Sequence, residues 1–472
     1  MIPHRRLGGT LILSIAAILP LGAAGAQDAD RAAAVLAVTP RTDLPPEADD
    51  PARPRNTRLL KPRVWVDDAG VDDAGNIYNR YSRSPFGTWS NYDEAKADPF
   101  PIPDALVLKD GRRVEDADTW WKRRRPEILN DFYAEVYGRI PEIVPKVAWE
   151  VKTEVEDAFK TKTIVGRIDN SGYPKATPAV SLILTLPANA TGPVPVIVVL
   201  APGGAAGAQR GRAPAGSGTR GTAGPDPMQQ VLSRGWGYAT FNPASVQPDN
   251  GAGLIQGVIG LVNKGQPRPS PDQWGALTAW TWGLSRAIDY FETDRDVDAK
   301  RLAVEGHSRY GKTALWAAAQ DQRWAVVYAS CSGEGGAKLF RRNYGETTDN
   351  IAGSHWMAAN FRKYGGHWND LPVDSNELIA LVAPRAVFVT GATQDPWSDP
   401  RGEFLAAVGA GPVYRLLGKR DLGTEEMPAP NASLTSGEVA FREHAGWHTD
   451  LPDWPVFLEF AARYFRTPPG QR

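Results

Sequence analysis

A single cysteine, Cys331, is the whole thiol content of the 472-residue chain. No intramolecular disulfide can form, so stability must come from a buried core, and the chain is long enough to build a large one. Cys331 lies in an apolar, strand-like run, the setting of an inert buried thiol rather than a nucleophile. Histidine is scarce too, at six residues. None falls in an H-E-x-x-H spacing and there is no C-x-x-C pair, so the spacing predicts no metal site. Net charge is nearly absent, at −1. That balance argues against nucleic acid or an anionic membrane as the partner.

What is present begins with MIPHRRLGGTLILSIAAILPLGAAGAQ. Arg5 and Arg6 form a basic n-region, Leu11 to Leu21 an apolar h-region, and Ala24-Gly25-Ala26 a small-residue cleavage site. Residues 1–26 read as a secretory signal peptide whose apolar run is too short for a spanning helix. Cleavage removes two positive charges and leaves a net −3. The expected product is periplasmic or secreted, free of the membrane and monomeric. Residues 27–97 read as a leader, rich in Ala, Pro, Asp and Arg, followed by an irregular extension; 98–472 form the main domain.

Within that domain Asp116–Gly138 shows helical spacing with a break expected at Pro126. Strand-like segments follow at Ala148–Val155, Thr163–Ile168, Ala179–Leu186 and Val194–Leu200. The last, VPVIVVL, is apolar throughout, as in a strand buried on both faces. A Gly/Ala/Arg loop then runs to Asp226, a short strand covers Trp236–Phe241, and an amphipathic helix covers Asp272–Thr293. Later apolar runs are Trp324–Cys331, Arg385–Thr390 and Val413–Leu417, and a helix closes the chain at Asp453–Phe465. Alternating strands and helices imply an α/β fold with a mostly parallel sheet covered on both faces.

The most informative stretch is RLAVEGHSRYGKTALWAAAQ, residues 301–320. An apolar run ends at Gly306, Ser308 and Gly311 follow, and then comes a helix-forming segment. Strand, sharp turn and helix make a nucleophile elbow, with the helix N-terminus behind the serine suited to an oxyanion. Two other readings fit the letters. Gly306 to Thr313 matches the phosphate-binding pattern G-x-x-x-x-G-K-[ST], whereas G-x-S-x-G is met with the second glycine one residue late. A plain Gly-Ser turn is the third. Export, the late position in the chain and the lack of a downstream strand ending in a lone Asp weigh against nucleotide binding.

A serine nucleophile needs a base and an acid, in the order Ser, Asp or Glu, His for an α/β-hydrolase. Asp395 follows the strand-like RAVFVT, with Asp399 a rival nearby. An Asx turn before Pro396 is the alternative use of Asp395. His444 and His448 lie in the loop before the last helix. His448 fits the base, His444 a packing or substrate role; His355 and His367 precede Asp395 and fall outside the order.

From Trp120 onward, about three quarters of the chain resembles the bacterial glucuronoyl esterases, a carbohydrate esterase family of the α/β-hydrolase superfamily. The resemblance is carried by TWWKRRRPEILNDFYAEVYGRIP, QWGALTAWTWGLSRAIDYFETD, GHSRYGK, SGEGGAKLFRRNYGE, DLPVDSNELIALVAPRAVFV, DPWSDPRGEF and GWHTDLPDW, in matching order. That family's elbow is G-x-S-R-x-G, which accounts for the late glycine.

The resemblance implies a three-layer α/β-hydrolase sandwich that cleaves esters of (4-O-methyl)glucuronic acid on xylan with lignin alcohols, without a cofactor. Ser308 would be the nucleophile, His448 the base and Arg309 the oxyanion residue. Lys312, Glu346 and Trp397 would hold the uronate. The acid position of many members matches Cys331 here, so Asp395 would supply the acid, with Glu334 as a fallback unless it pairs with Arg341 or Arg342. An acetylxylan or general carboxylesterase, or an inactive carbohydrate-binding homologue, are the alternatives.

Overall fold

The structure is a computed structural model that describes residues 64–66, 69–71, 77–78, 81–83, 89–97, 100–156, 158–201 and 226–466. The expected signal peptide, most of the leader and the Gly/Ala/Arg loop after Ala201 lie outside the described residues. Among the described residues no helix is long and apolar enough to cross a membrane.

Ten strands form the main sheet: β1 (Val147–Val155), β2 (Phe159–Ile168), β3 (Ala179–Pro187), β4 (Val194–Leu200), β5 (Gly237–Asn242), β6 (Val297–His307), β7 (Val326–Ser330), β8 (Ala386–Ala392), β9 (Ser433–Leu434) and β10 (Val439–His444). Their spatial order is β9-β10-β8-β7-β6-β4-β5-β3-β2-β1. The six strands from β10 to β5 are mutually parallel. The antiparallel β1-β2-β3 ribbon extends one side, and β9 caps the other.

Every residue of β4 is buried. Alternate residues serve opposite faces, as the pleat requires. Val196, Val198 and Leu200 pack in one core with helix α1 (Ala276–Phe291), α2 (Arg309–Gln320) and α3 (Pro400–Leu416). Ile197 and Val199 pack in a second core with α4 (Trp454–Phe465). Two apolar cores, one on each face, make the three-layer α/β arrangement.

Two expectations need correction. Pro126 does not break its helix: it sits at the second position of the segment Arg125–Asp131, in the first turn, where proline is tolerated, and wide helical turns at Trp120–Arg124 and Phe132–Tyr137 continue on either side. The run Val413–Leu417 is not a strand but the last turn of α3 and its cap, presenting Val413 and Tyr414 to the core. The strand neighbouring β8 is instead β10.

Residues 91–94 dock onto the segment ahead of Glu346. Asn91 Nδ2 donates to the Asn343 carbonyl at 2.9 Å, and the Gly345 N–H donates to the Asn91 carbonyl at 2.9 Å. Glu94 pairs with Arg342.

Candidate active site

The parallel strands converge their C-terminal ends on one edge, the edge where open α/β sheets place ligands. Ser308 stands one residue past β6, Asp395 three past β8 and His448 four past β10.

Ser308 has φ 60° and ψ −129°, a conformation that costs on the order of 1–3 kcal/mol for a non-glycine residue. Its N–H is tied to the Ser330 carbonyl at the end of β7, 2.9 Å away. The two glycines make the turn possible. A Cβ on Gly306 would lie 2.0 Å from the Tyr310 carbonyl oxygen, and one on Gly311 would lie 2.9 Å from the Ser330 oxygen. The late glycine is therefore where α2 crosses β7. Because α2 begins at Arg309, Gly311 and Lys312 are helical and form no phosphate-cradling loop.

His448 Nδ1 lies 2.6 Å from Asp395 Oδ2, which leaves Nε2 as the ring's other nitrogen. The His448 ring sits 4.3 Å, centroid to centroid, from that of His307, the residue before Ser308. Asp395 is buried while His448 is open to solvent. Burial pushes the Asp395 carboxyl up, but the His448 hydrogen bond and charge, with help from Ser398 and His307, bring it below its ordinary value. Ser398 Oγ donates to Asp395 Oδ2 at 2.5 Å and also lies 3.2 Å from the Cys331 carbonyl.

The rivals are engaged elsewhere. Asp399 caps α3, accepts from the Gly402 N–H at 3.1 Å and pairs with Arg342 Nε at 2.7 Å. Glu334 is fully buried against Lys338 Nζ at 2.6 Å and against the Thr348 hydroxyl. Burial pushes its carboxyl up to about 8. Its partner is thus Lys338 rather than Arg341 or Arg342, which go to Asp374 and Asp399. His444 is buried 2.8 Å from Asp453.

Cys331 Sγ, an Asp395 oxygen and a His448 nitrogen lie within 4.8 Å of one another. Burial holds the thiol well above its ordinary pKa, and His448 and Asp395 are already joined. The trio is therefore a poor donor set for a metal, which needs the thiolate. The Cys331 thiol points instead towards the Thr449 carbonyl, 3.9 Å away.

Lys312 Nζ donates to Glu346 Oε2 at 2.8 Å and to the Ser332 carbonyl at 2.7 Å, and both side chains are largely buried. The Glu346 N–H in turn donates to the Trp397 carbonyl at 2.7 Å. Gly333 is the crossing point, at φ 56°: a Cβ there would meet Glu346 Oε2 at 2.8 Å and Lys312 Nζ at 3.4 Å. One backbone cluster thus joins Lys312, Glu346 and Trp397 to the Asp395 loop.

Arg309 is partly exposed, with Nε 2.6 Å from Asp249 Oδ2 and its guanidinium 5.1 Å from the centre of the Tyr310 ring. Asp249 also accepts from Trp356 Nε1 and meets His355 Nε2, both at 2.8 Å. Asp249 and Ser398 carry no sequence signal of their own. Ser398 lies between two candidate aspartates, and Asp249 sits in a loop far upstream of Ser308.

Residues 268–418 match the family model described as glucuronyl esterase, fungi. The chain is 38% identical over 400 residues to carbohydrate esterase MZ0003 of an unknown prokaryotic organism, an alignment covering 79% of this chain and 91% of that one. Among solved structures it is similar to a CE15 glucuronoyl esterase from Teredinibacter turnerae T7901, with TM-score 0.73 and 40% identity over 81% of this chain and 94% of that one. A glucuronoyl esterase from Solibacter usitatus matches with TM-score 0.71 and 40% identity, over 79% of this chain and all of that one.

Proposed function

The chain belongs to the bacterial glucuronoyl esterases, carboxylic ester hydrolases that act on esters of glucuronic acid, and on that footing we propose that Ser308, His448 and Asp395 are its catalytic triad. Ser308 Oγ attacks the ester carboxyl carbon while His448 Nε2 takes its proton. The tetrahedral oxyanion is met by Arg309 at the start of α2. His448 returns the proton to the departing alcohol. Water, activated by the same nitrogen, then releases the glucuronoyl group from Ser308 as the free acid.

Lys312 and Glu346 hold the sugar hydroxyls and Trp397 lies against the pyranose. The substrate is the ester between (4-O-methyl)glucuronic acid on xylan and a lignin alcohol. The order of basic, apolar and small residues at the N-terminus supports export, and residues 98–472 serve as the catalytic domain. The observation that carries the reading is the 2.6 Å contact of His448 with Asp395 beside a serine on a strained elbow.

Hydrolysis of a benzyl glucuronate ester, measured beside a simple acetate ester, tests it. The wild type should turn over the uronate ester and barely touch the acetate, and Ser308→Ala should do neither. Acetate hydrolysis without uronate hydrolysis would point to a general esterase. Inactivity on both would point to a carbohydrate-binding homologue.

A further inference from the structure

A second His–Asp pair lies behind the His448 loop. His444, the last residue of β10, is fully buried. Its Nδ1 is 2.8 Å from Asp453 Oδ2, and its Nε2 is 3.0 Å from the Trp447 carbonyl. A carbonyl oxygen can only accept, so Nε2 carries a proton. Asp453 Oδ1 accepts from Arg442 Nη1 at 2.8 Å. Burial raises the Asp453 carboxyl, and the His444 hydrogen bond and charge together with that guanidinium work against burial in favour of the carboxylate; with the carboxylate ionised, Nδ1 faces an acceptor as well. Two acceptors on two ring nitrogens describe an imidazolium.

The bond to the Trp447 carbonyl fixes the chain one residue before His448. The same turn is laced to the Asp395 loop. The Thr393 N–H donates to the His444 carbonyl at 3.0 Å, the Gln394 N–H to the Gly446 carbonyl at 2.8 Å, and the Gly446 N–H to Thr393 Oγ1 at 3.2 Å. The His444 ring is thus the side-chain peg of a turn that carries one half of the His448–Asp395 pair.

We propose that His444 is a positioning residue which, as an imidazolium, pegs the 445–448 turn and thereby sets His448 against Asp395. This rests on the reading of His448 as the base. The groups facing His444 are Asp453 from the turn ahead of α4, and Arg442 and Glu443 on its own strand. Tyr328 of β7 faces Asp453 in turn. Burial by itself would lower the His444 pKa. The Asp453 hydrogen bond and charge, with the Trp447 carbonyl, outweigh burial and raise it, while Arg442 pulls the other way.

The sign of the pH effect follows. A histidine whose folded pKa is raised holds its contribution fully below the unfolded value, about 6.5, and loses it as pH rises through the folded value. His444 therefore governs the alkaline limb of the rate profile, where loss of its second proton frees the turn.

The test has two arms. Nitrogen-15 NMR of the ring resonances of the intact protein, assigned with His444→Gln, should show both His444 nitrogens protonated at pH 7. In His444→Gln, kcat on a glucuronate ester should fall about ten- to a hundredfold, because a catalytic group displaced by about 1 Å can cost on the order of a hundredfold. KM should stay within about twofold and the alkaline limb should disappear. A His444 ring with one proton would overturn the proposal, as would a variant with unchanged kcat and an intact alkaline limb. The NMR arm needs no turnover, so it stands apart from His448→Ala, whose retained activity would instead sink the triad reading.

Discussion

Asp395 is held as an anion against its own burial, because His448 and Ser398 both point at one of its oxygens. Asp395→Asn keeps the shape but offers the ring an amide, which selects the wrong tautomer. The expected loss in kcat is on the order of 10³-fold or more, with the melting temperature nearly unchanged; steady-state kinetics beside thermal unfolding would separate the two. Cys331→Ser should leave kcat close to wild type, since the thiol, near as it is to Asp395 and His448, points towards the Thr449 carbonyl. A large loss there would show that position 331 takes part in the chemistry. As candidates, Ser308 and Asp395 were legible because each follows an apolar run, and His448 because it lies ahead of the last helix and after both in chain order. Asp249, beside Arg309, was not, because its pairing depends on a loop whose path no local pattern encodes.

At the scale of elements, the elbow depends on close approach as much as on φ. Gly306→Ala would drive a methyl group into the Tyr310 carbonyl. The variant should lose esterase activity, because the turn can no longer present Ser308. Gly311→Ala meets the Ser330 carbonyl less severely and should cost about 1–3 kcal/mol, read as a lowered midpoint in denaturant unfolding. The sequence showed the late glycine and the resemblance matched it to a family pattern, but only packing of α2 on β7 gives the reason. Strand β10 was missed for a related cause. Its last four residues read Phe441-Arg442-Glu443-His444, too polar for an interior strand until Arg442 and His444 are seen meeting Asp453. The run Val413–Leu417 misled in the opposite way. A short apolar stretch fits strand or buried helix equally, and here it ends α3.

Across the molecule, titration should make stability greatest in mild acid. Glu334, pushed up to about 8, Glu377, to about 7, and Glu403 are held up by burial. The fold therefore binds protons that the unfolded chain has released above about pH 4.3, and stability falls as pH rises through those values. Raised His444 acts in the same direction. Asp395, Asp249 and Asp321 are held low, so their contribution is present above the unfolded value, about 3.9, and is lost as pH falls through their folded values. The melting temperature should then peak near pH 5 and be lower at pH 8.5 and pH 3; a maximum at alkaline pH would contradict this assignment of charge. The layered α/β fold was legible because strands such as VPVIVVL are apolar throughout. The pattern of buried carboxyls was not, because it depends on which charges meet across separate loops.

The triad stands or falls on where the acyl group rests during turnover. Rapid quenching of the wild-type enzyme with a benzyl glucuronate ester, followed by mass spectrometry of its peptides, should find a glucuronoyl adduct on the peptide bearing Ser308. The adduct and steady turnover should both vanish in Ser308→Ala. An adduct on another peptide, or turnover that survives Ser308→Ala, would contradict the assignment of Ser308 as the nucleophile.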